Sequence, residues 1–234
     1  MIIGGLQKTT LIDYPGKLAC VVFLAVCNFR CPWCYSSELV LPVKIAKHPR
    51  LLEKDFFDFL RQRKRLLEGV VICGGEPTVN KELPQFIQKI KNLGFAIKLD
   101  TNGSNSEMLK SLAEQNLIDY VAMDIKASIN NKAYKNLLGE GVNFFDIEKS
   151  VNFLKNSNID FEFRTTVVPG IHKKEEFKDI ANWIGGENIK YYLQNFIPQK
   201  TIDPEFVKVK SYQKEFLQDI IKEISPHFKT CQLR

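Results

Sequence analysis

Residues 17–34 read KLACVVFLAVCNFRCPWC, an apolar run followed directly by three closely spaced cysteines. The first nine of these residues are rich in apolar and β-branched side chains, which predicts a buried strand over 17–25. The cysteines stand at 27, 31 and 34, in a C-x3-C-x2-C spacing. A loop of thiols after a strand indicates metal or redox chemistry rather than disulfides, since a chain of 234 residues needs no covalent staples.

The same order of strand and helix recurs along the rest of the chain. Five further strands are predicted, at 70–73, 95–99, 120–123, 159–168 and 189–196. Helices are predicted at 51–68, 83–93, 107–115, 145–155, 173–183 and 212–224, with a polar helical stretch after 123. Strands that alternate with helices indicate a parallel sheet with right-handed crossovers. The predicted fold class is therefore α/β, a partial (β/α)6 barrel with outer helices in a single domain over 1–234.

Composition narrows the class of protein. Hydrophobic residues make up 44% and charged residues 26%, which excludes a disordered or collagen-like chain. The longest strongly apolar stretch, 18–27, is far shorter than the roughly 20 residues that span a bilayer. The first residues show no signal-peptide pattern, so we expect a cytoplasmic protein without a membrane partner. The net charge of +6 is spread along the chain and does not favour a nucleic-acid partner.

Polar motifs stand at the end of each predicted strand. After the cysteines come GGEP at 74–77, DTNG at 100–103, MDIK at 123–126, RTTVVPG at 164–170 and QNFIP at 194–198. In a parallel sheet all of these ends lie on one face, and α/β barrels place their active sites there. We therefore expect a single composite site at the carboxyl face of the sheet.

The clustered cysteines leave several interpretations open. Thiolates suit iron–sulfur clusters or zinc, and a structural zinc site takes four ligands. A fourth ligand would have to come from Cys20, Cys73, Cys231 or a histidine, none of which stands at a usual zinc spacing. Three thiols on a four-iron cluster would leave one iron open to a small molecule, and three incidental core cysteines are the remaining alternative. Cys20 and Cys73 fall inside apolar strands, so we expect both in the core.

These motifs together resemble the radical S-adenosylmethionine (SAM) superfamily, and the resemblance extends from IDYPG at 12–16 to QNFIP at 194–198. Within it the chain is most similar to activating enzymes of glycyl radical enzymes, above all those of anaerobic ribonucleoside-triphosphate reductase. The activating enzyme of pyruvate formate-lyase comes next. The resemblance implies that Cys27, Cys31 and Cys34 hold a [4Fe-4S] cluster which cleaves SAM reductively. The resulting 5′-deoxyadenosyl radical then installs a glycyl radical on a partner enzyme.

The resemblance also implies roles for particular residues. Those that it assigns to cofactor binding are Trp33, Gly74, Gly75, Glu76, Pro77, Asp100, Asn102 and Asp124. Beside the cysteines, it assigns Lys126 and Arg164 to catalysis. Trp33 packs beside the adenine or shields the cluster in this scheme. Backbone carbonyls of GGEP accept from the SAM ammonium, because glycine lets the main chain approach closely.

The two aspartates have a further implied role. Asp100 and Asp124 would contact the ribose and carboxylate end of SAM, and they would also hold a monovalent cation. Two carboxylates in one site repel each other unless a cation or hydrogen-bond donors intervene. Each motif also has a plain interpretation by itself: GGEP as a turn with one exposed acid, DTNG as a turn or helix cap, and Arg164 as a buried salt bridge.

The chain departs from the usual pattern of the family around the cysteines. Val26 stands where glycine is common, and Tyr35 and Ser36 stand where histidine and asparagine are common. Residues 35–73 contain only one cysteine, so ferredoxin-like clusters are not expected and an external one-electron donor such as flavodoxin is implied. The basic run RQRKR at 61–65 is either a solvated helix face or a dock for that donor.

Two other functions stay open at this point. The chain could be a radical SAM enzyme that acts on a small molecule or on RNA, although it lacks the length for appended domains. It could also be an iron–sulfur electron-transfer module or a structural metal module, which would hold its metal and ignore SAM.

Overall fold

The computed structural model describes residues 1–128, 135, 136, 138, 139 and 142–234. Within this part of the chain, eight strands form one sheet in which the spatial order follows the order along the chain. The strands are β1 Ile3–Thr10, β2 Ala19–Leu24, β3 Gly69–Gly74, β4 Ala96–Thr101, β5 Tyr120–Asp124, β6 Asp160–Val167, β7 Gly186–Asn195 and β8 Phe228–Leu233. Strand β1 is antiparallel to β2, and all later neighbours are parallel.

Helices connect the strands on one side of the sheet. The described helices are α1 Ser37–Val40, α2 Pro42–Ile45, α3 Glu53–Arg63, α4 Leu83–Asn92, α5 Ser106–Glu114, α6 Phe144–Lys155, α7 Lys174–Ile184 and α8 Lys214–Ile224. Short 3-10 turns occur at Pro77–Val79, Pro204–Lys208 and Ser225–His227. Among the described residues, none of the helices has the length and apolar character to cross a membrane.

The predicted α/β class is confirmed, and strands β2 to β7 are the six strands that the apolar runs predict. The sheet also has two edge strands that the apolar pattern does not predict, β1 and β8, one at each end of the six. Strand β1, IGGLQKTT, buries only its first and last residues, and β8, FKTCQL, is nowhere fully buried. Backbone hydrogen bonds hold both edge strands in the sheet, and most of their side chains are not buried. Their sequences therefore show little of the apolar pattern from which a strand is predicted.

The observed helix bounds differ from the predicted ones by one or two residues at most ends, and by more at the end of α3. Helix α3 ends at Arg63 rather than at residue 68, because the amides of Leu66 and Leu67 both turn back to the Arg63 carbonyl. Helix α8 begins at Lys214 instead of residue 212. The polar helical stretch predicted after residue 123 lies in large part outside the described residues.

The two faces of the sheet differ in character. The outer face, with Val22, Ile72 and Leu99, packs against the helices in the main core. The inner face carries a smaller apolar cluster toward the amino ends of the strands, where Tyr14 packs against Tyr120 with ring centroids 6.1 Å apart. The carboxyl ends of the inner face are polar instead, and this difference leaves one end of the partial barrel free for a site.

Candidate active site

A cavity lies at the carboxyl ends of the central strands. Its walls are the cysteine loop after β2 and the ends of β3, β4, β5 and β6. Every site residue named from the sequence lines this cavity except Pro77, which is buried at the start of the 3-10 turn after β3. The structure thus brings the motifs together on one face of the sheet, as their positions at the strand ends predict.

The cysteine loop is held by its own backbone. The amide of Phe29 donates to Sγ of Cys27 at 3.3 Å, and the amide of Cys34 donates to the Cys31 carbonyl at 3.0 Å. The Arg30 guanidinium also donates to the Cys27 carbonyl at 2.6 Å. All three cysteines are free thiols that face the same cavity. Within the described residues, no group of three or more His, Cys, Asp or Glu side chains is arranged around a single metal ion.

Burial favours the neutral form of these three thiols, and a nearby cation opposes it. Burial raises the pKa of Cys27 and Cys31 to about 12, and it also raises the pKa of Cys34. The Lys126 ammonium opposes this shift at Cys31 and Cys34, because it favours their thiolates. Soft thiolates from one loop are the usual ligands of iron–sulfur clusters. The donor set therefore fits a cluster with three cysteine ligands.

Trp33 is packed behind the cysteine loop and is only 4% exposed. Its ring packs edge-on against the ring of His172, with the two centroids 6.0 Å apart. Its centroid lies 6.5 Å from that of the Phe206 ring. Both roles of Trp33, beside the adenine or as a shield of the cluster, stay predictions.

Glu76 is buried, which makes the interpretation of GGEP as a turn with an exposed acid wrong. Its Oε1 accepts hydrogen bonds from the amide and hydroxyl of Thr78 and from the hydroxyl of Thr101. Its Oε2 accepts from the amide of Asn102 at 2.7 Å. Burial raises the pKa of Glu76 even though these donors oppose the shift. The carboxylate is thus occupied within the protein and links the loop after β3 to the loop after β4.

The two glycines before Glu76 allow the loop after β3 to meet the cysteine loop. The amide of Gly75 donates to the Leu24 carbonyl at 2.7 Å, and that of Glu76 donates to the Val26 carbonyl at 2.8 Å. A Cβ on Gly75 would lie 2.1 Å from the Val26 carbonyl oxygen, so no other residue fits. Val26 itself has φ 78°, a conformation that strains a β-branched residue. Because valine stands here where glycine is common in the family, the backbone is strained directly before Cys27.

A chain of charged side chains crosses the floor of the cavity. Arg164 donates to Asp100 at 3.1 Å and to Asp124 at 3.0 Å, so it bridges the two carboxylates. Lys98 donates to Asp100, and Lys126 donates to Asp124 at 2.9 Å. Burial would raise the pKa of Asp124, but the charges of Arg164 and Lys126 lower it to about 2. Three cationic side chains thus face two carboxylates.

This arrangement does not fit a monovalent cation between Asp100 and Asp124. Each carboxylate already accepts hydrogen bonds from two cationic side chains. Another cation between them would meet Arg164 and repel it.

Several cavity residues are missing from the sequence-based assignment. Cys73 packs against the smaller apolar cluster of the inner face and also lines the cavity, which its assignment to the core does not predict, whereas Cys20 is fully buried as expected. Alternation along β3 and its position directly before GGEP are the signals that identify Cys73. Tyr35 also lines the cavity, where its ring stacks on Phe196 and its hydroxyl accepts from the Ile197 amide at 2.7 Å.

The basic run at 61–65 lies at the other end of the sheet. It occupies the end of α3 and the turn before β3. This turn lies beside the start of β2, because the amide of Glu68 donates to the carbonyl of Leu18, directly before β2. The cysteine loop follows the opposite end of β2, which at about 3.3 Å per residue is about 20 Å away. This position does not favour the run as a dock that delivers electrons directly to the cysteine loop.

The carboxyl-face cavity, with its three-cysteine loop, is typical of one class of enzymes, and the sequence profile of the radical SAM superfamily matches residues 21–184. The chain belongs to the radical SAM superfamily. Within it, the chain is 32% identical to a candidate glycyl-radical enzyme activating enzyme of Methanocaldococcus jannaschii, over 100% of this chain and 95% of that protein. A second candidate activating enzyme from the same organism is 24% identical over 94% of this chain and 85% of its own length.

A solved structure supports the fold separately. QueE from Escherichia coli superposes on this chain with a TM-score of 0.58 and 14% identity, over 100% of this chain and 93% of that one. At this identity the similarity concerns the fold alone, and it agrees with the partial barrel described above.

Proposed function

We propose that this protein is a radical SAM activase that installs a glycyl radical on a partner enzyme, anaerobic ribonucleoside-triphosphate reductase. The observation that carries the proposal is the convergence of the three thiols and the bridged charge chain in one cavity. The similarity over the full chain to candidate activating enzymes of glycyl radical enzymes supports the class of partner.

In this proposal each part of the cavity has a distinct task. Cys27, Cys31 and Cys34 hold the cluster and leave one iron open. The three cations of the charge chain outnumber its two carboxylates, so this wall attracts the carboxylate of a bound amino acid. Arg164 and Lys126 would take that role, while backbone carbonyls after Gly74 would accept from the ammonium.

The cofactors provide the chemistry: when bound, the cluster and SAM supply a one-electron cleavage that yields methionine and a 5′-deoxyadenosyl radical. The chain orients the two groups and keeps water away from them. Trp33 and Phe29, both buried, form the apolar side of the cavity. No step requires a monovalent cation, since Arg164 already bridges the two aspartates.

The partner and the reductant are the most specific parts of the proposal. We infer anaerobic ribonucleoside-triphosphate reductase from the combination of LIDYPGK, CNFRCPWC, GGEPT and RTTVVPG. Pyruvate formate-lyase or another glycyl radical enzyme is the alternative partner. The electron comes from an external carrier such as flavodoxin, because the described cavity holds cysteine ligands for a single cluster.

The test uses the whole chain, reconstituted with iron and sulfide under anaerobic conditions and then reduced. Electron paramagnetic resonance (EPR) spectra are recorded with and without SAM. We expect a four-iron signal that changes when SAM is added. The candidate reductase is then added with SAM and reductant, and it should acquire the doublet of a glycyl radical. A Cys31→Ser variant is the control and should produce neither signal.

The outcomes separate the alternatives. A cluster signal that ignores SAM would place the protein among electron carriers, and bound zinc would make it a structural module. A SAM-dependent signal without a doublet on any glycyl radical enzyme, but with steady turnover of SAM and a small molecule, would contradict the activase assignment and leave the superfamily intact.

A further inference from the structure

His172 is a buried titratable residue that the proposed function does not use. It follows the Pro169–Gly170 turn after β6, and its side chain is wholly inaccessible to solvent. Its own amide donates to the Val168 carbonyl at 2.9 Å, and its carbonyl accepts from the Tyr212 hydroxyl at 2.9 Å. The backbone of His172 is therefore fixed on both sides, so the ring has a defined position.

The hydrogen bonds of the ring determine its tautomer. Nδ1 accepts from the backbone amide of Val168 at 2.9 Å, so Nδ1 carries no hydrogen. Nε2 then carries the hydrogen and donates it to the carbonyl of Lys126, also at 2.9 Å. Burial lowers the pKa of His172, which keeps the ring neutral and both bonds intact at neutral pH.

These contacts join three parts of the cavity wall. The Lys126 carbonyl belongs to the loop after β5, whose side chains Asp124 and Lys126 are paired at 2.9 Å in the cavity. The edge of the ring meets Trp33, which lies between the cluster ligands Cys31 and Cys34. His172 thus touches the cysteine loop through Trp33 and the backbone of Lys126, a member of the charge chain, although it does not line the cavity itself.

We propose that His172 is a positioning residue for the SAM site, and that it acts through the hydrogen bond from Nε2 to the Lys126 carbonyl. This inference rests on the proposed use of SAM and deepens it. The bond fixes the loop after β5 relative to the loop after β6, and the contact of the ring with Trp33 links both to the cysteine loop. Lys126 and Arg164 would thereby be held where they could bind the carboxylate end of SAM beside the cluster ligands. The bond from Val168 to Nδ1 acts only within the loop after β6.

The two ring nitrogens can be tested separately because two amide side chains imitate one nitrogen each. In His172→Gln, the terminal amide reaches the position of Nε2 and retains the donor to the Lys126 carbonyl. In His172→Asn, the shorter amide reaches only the position of Nδ1 and retains the acceptor for Val168. Each variant loses one hydrogen bond of the pair, so each is the matched control of the other for stability.

The experiment compares the reconstituted wild type with both variants by melting temperature without SAM and by SAM titration of the reduced cluster, followed by EPR. We expect both variants to melt a few degrees lower than the wild type, by similar amounts. The dissociation constant for SAM should rise about tenfold in His172→Asn and stay within about twofold in His172→Gln, as expected for the loss of about one hydrogen bond. Cluster content per chain should be the same in all three proteins.

Each result decides the inference. Equal SAM affinity in both variants, whether near the wild type or equally weakened, would overturn it, because a merely structural histidine does not distinguish its two nitrogens at the SAM site. Weaker binding in His172→Gln alone would overturn it as well. A wild-type cluster that shows no response to SAM would refute the proposed function, and the inference would fall with it.

Discussion

The backbone amide of Asn102 donates a hydrogen bond of 2.7 Å to Oε2 of Glu76. This bond ties the loop after β4 to the loop after β3, and Oε1 of the same carboxylate takes three further donors from Thr78 and Thr101. One buried acid therefore holds two of the motifs that form the cavity wall. The GGEP and DTNG motifs are separated by 22 residues of sequence, yet they form one structural unit.

Replacement of this acid should loosen both loops. In Glu76→Gln, an amide with a single acceptor oxygen faces four donors, so at least one buried donor loses its partner. We expect the free energy of unfolding to fall by about 1–3 kcal/mol. Urea denaturation of the apoprotein measures this change. Thr78→Val, which removes only one of the four donors, is the control, and a larger loss in that variant would contradict the prediction.

Arg164 should be replaceable by neither lysine nor methionine. Its Nε and terminal nitrogen bond two different carboxylates, and a lysine ammonium cannot reproduce this fork. Arg164→Met leaves Asp100 and Asp124 without their shared cation, and the free energy of unfolding should fall by about 3–5 kcal/mol. The free energy of unfolding of Arg164→Lys should lie between those of the wild type and of Arg164→Met. Calorimetry of the three apoproteins checks this order, and an Arg164→Met protein as stable as the wild type would show that the bridge is unimportant.

Much of the fold follows from the sequence because strands β2 to β7 are buried. Their apolar runs, such as VVFL in β2 and GVVIC in β3, are visible without any tertiary information. The edge strands are not visible in this way, since β1 and β8 pair through backbone groups and expose many side chains. Nor does the apolar pattern mark the end of α3 at Arg63, where the amides of Leu66 and Leu67 turn back to the Arg63 carbonyl.

The candidate site was predictable as a location and less so as a set of contacts. The motifs at the strand ends predict one face, and every candidate site residue except Pro77 lines one cavity there, whereas QNFIP at 194–198 contributes no lining residue. What each side chain bonds depends on partners far along the chain. Glu76 bonds residues up to 26 positions away, and His172 bonds the carbonyl of Lys126, 46 positions away. No local pattern in the sequence encodes such pairs.

Asp124 should make the stability of the apoprotein depend on pH in the acid range. The pKa of Asp124 is about 2 in the folded protein, against an ordinary value of 3.8, so its ionised form stabilises the fold above about pH 4. That stabilisation, roughly 2 kcal/mol, is lost as the pH falls through 2. Asp124→Asn cannot titrate, so the difference in the free energy of unfolding between the two proteins should shrink by this amount from pH 5 to pH 2. A difference that is constant over this range would contradict the assignment.

Gly75 should tolerate no side chain, for a reason that distinguishes it from an ordinary turn glycine. A Cβ at this position would lie 2.1 Å from the carbonyl oxygen of Val26 and 2.6 Å from its carbonyl carbon, both backbone atoms next to Cys27. Since neither atom can move without the cysteine loop, we expect Gly75→Ala to lower the iron content after reconstitution to less than half of the wild-type value. Iron and sulfide assays on the purified protein measure this loss.

Gly94→Ala is the matched control for that variant. Gly94, unlike Gly75, has a positive φ, 91°, but a Cβ there would meet nothing within 4 Å. The control should therefore lose only about 1 kcal/mol of the free energy of unfolding, from backbone strain, and keep its full iron content. If both variants lost iron equally, the effect would come from general destabilisation. If only Gly75→Ala lost iron, the contact between the loop after β3 and Val26 would be what holds Cys27 in place for the cluster.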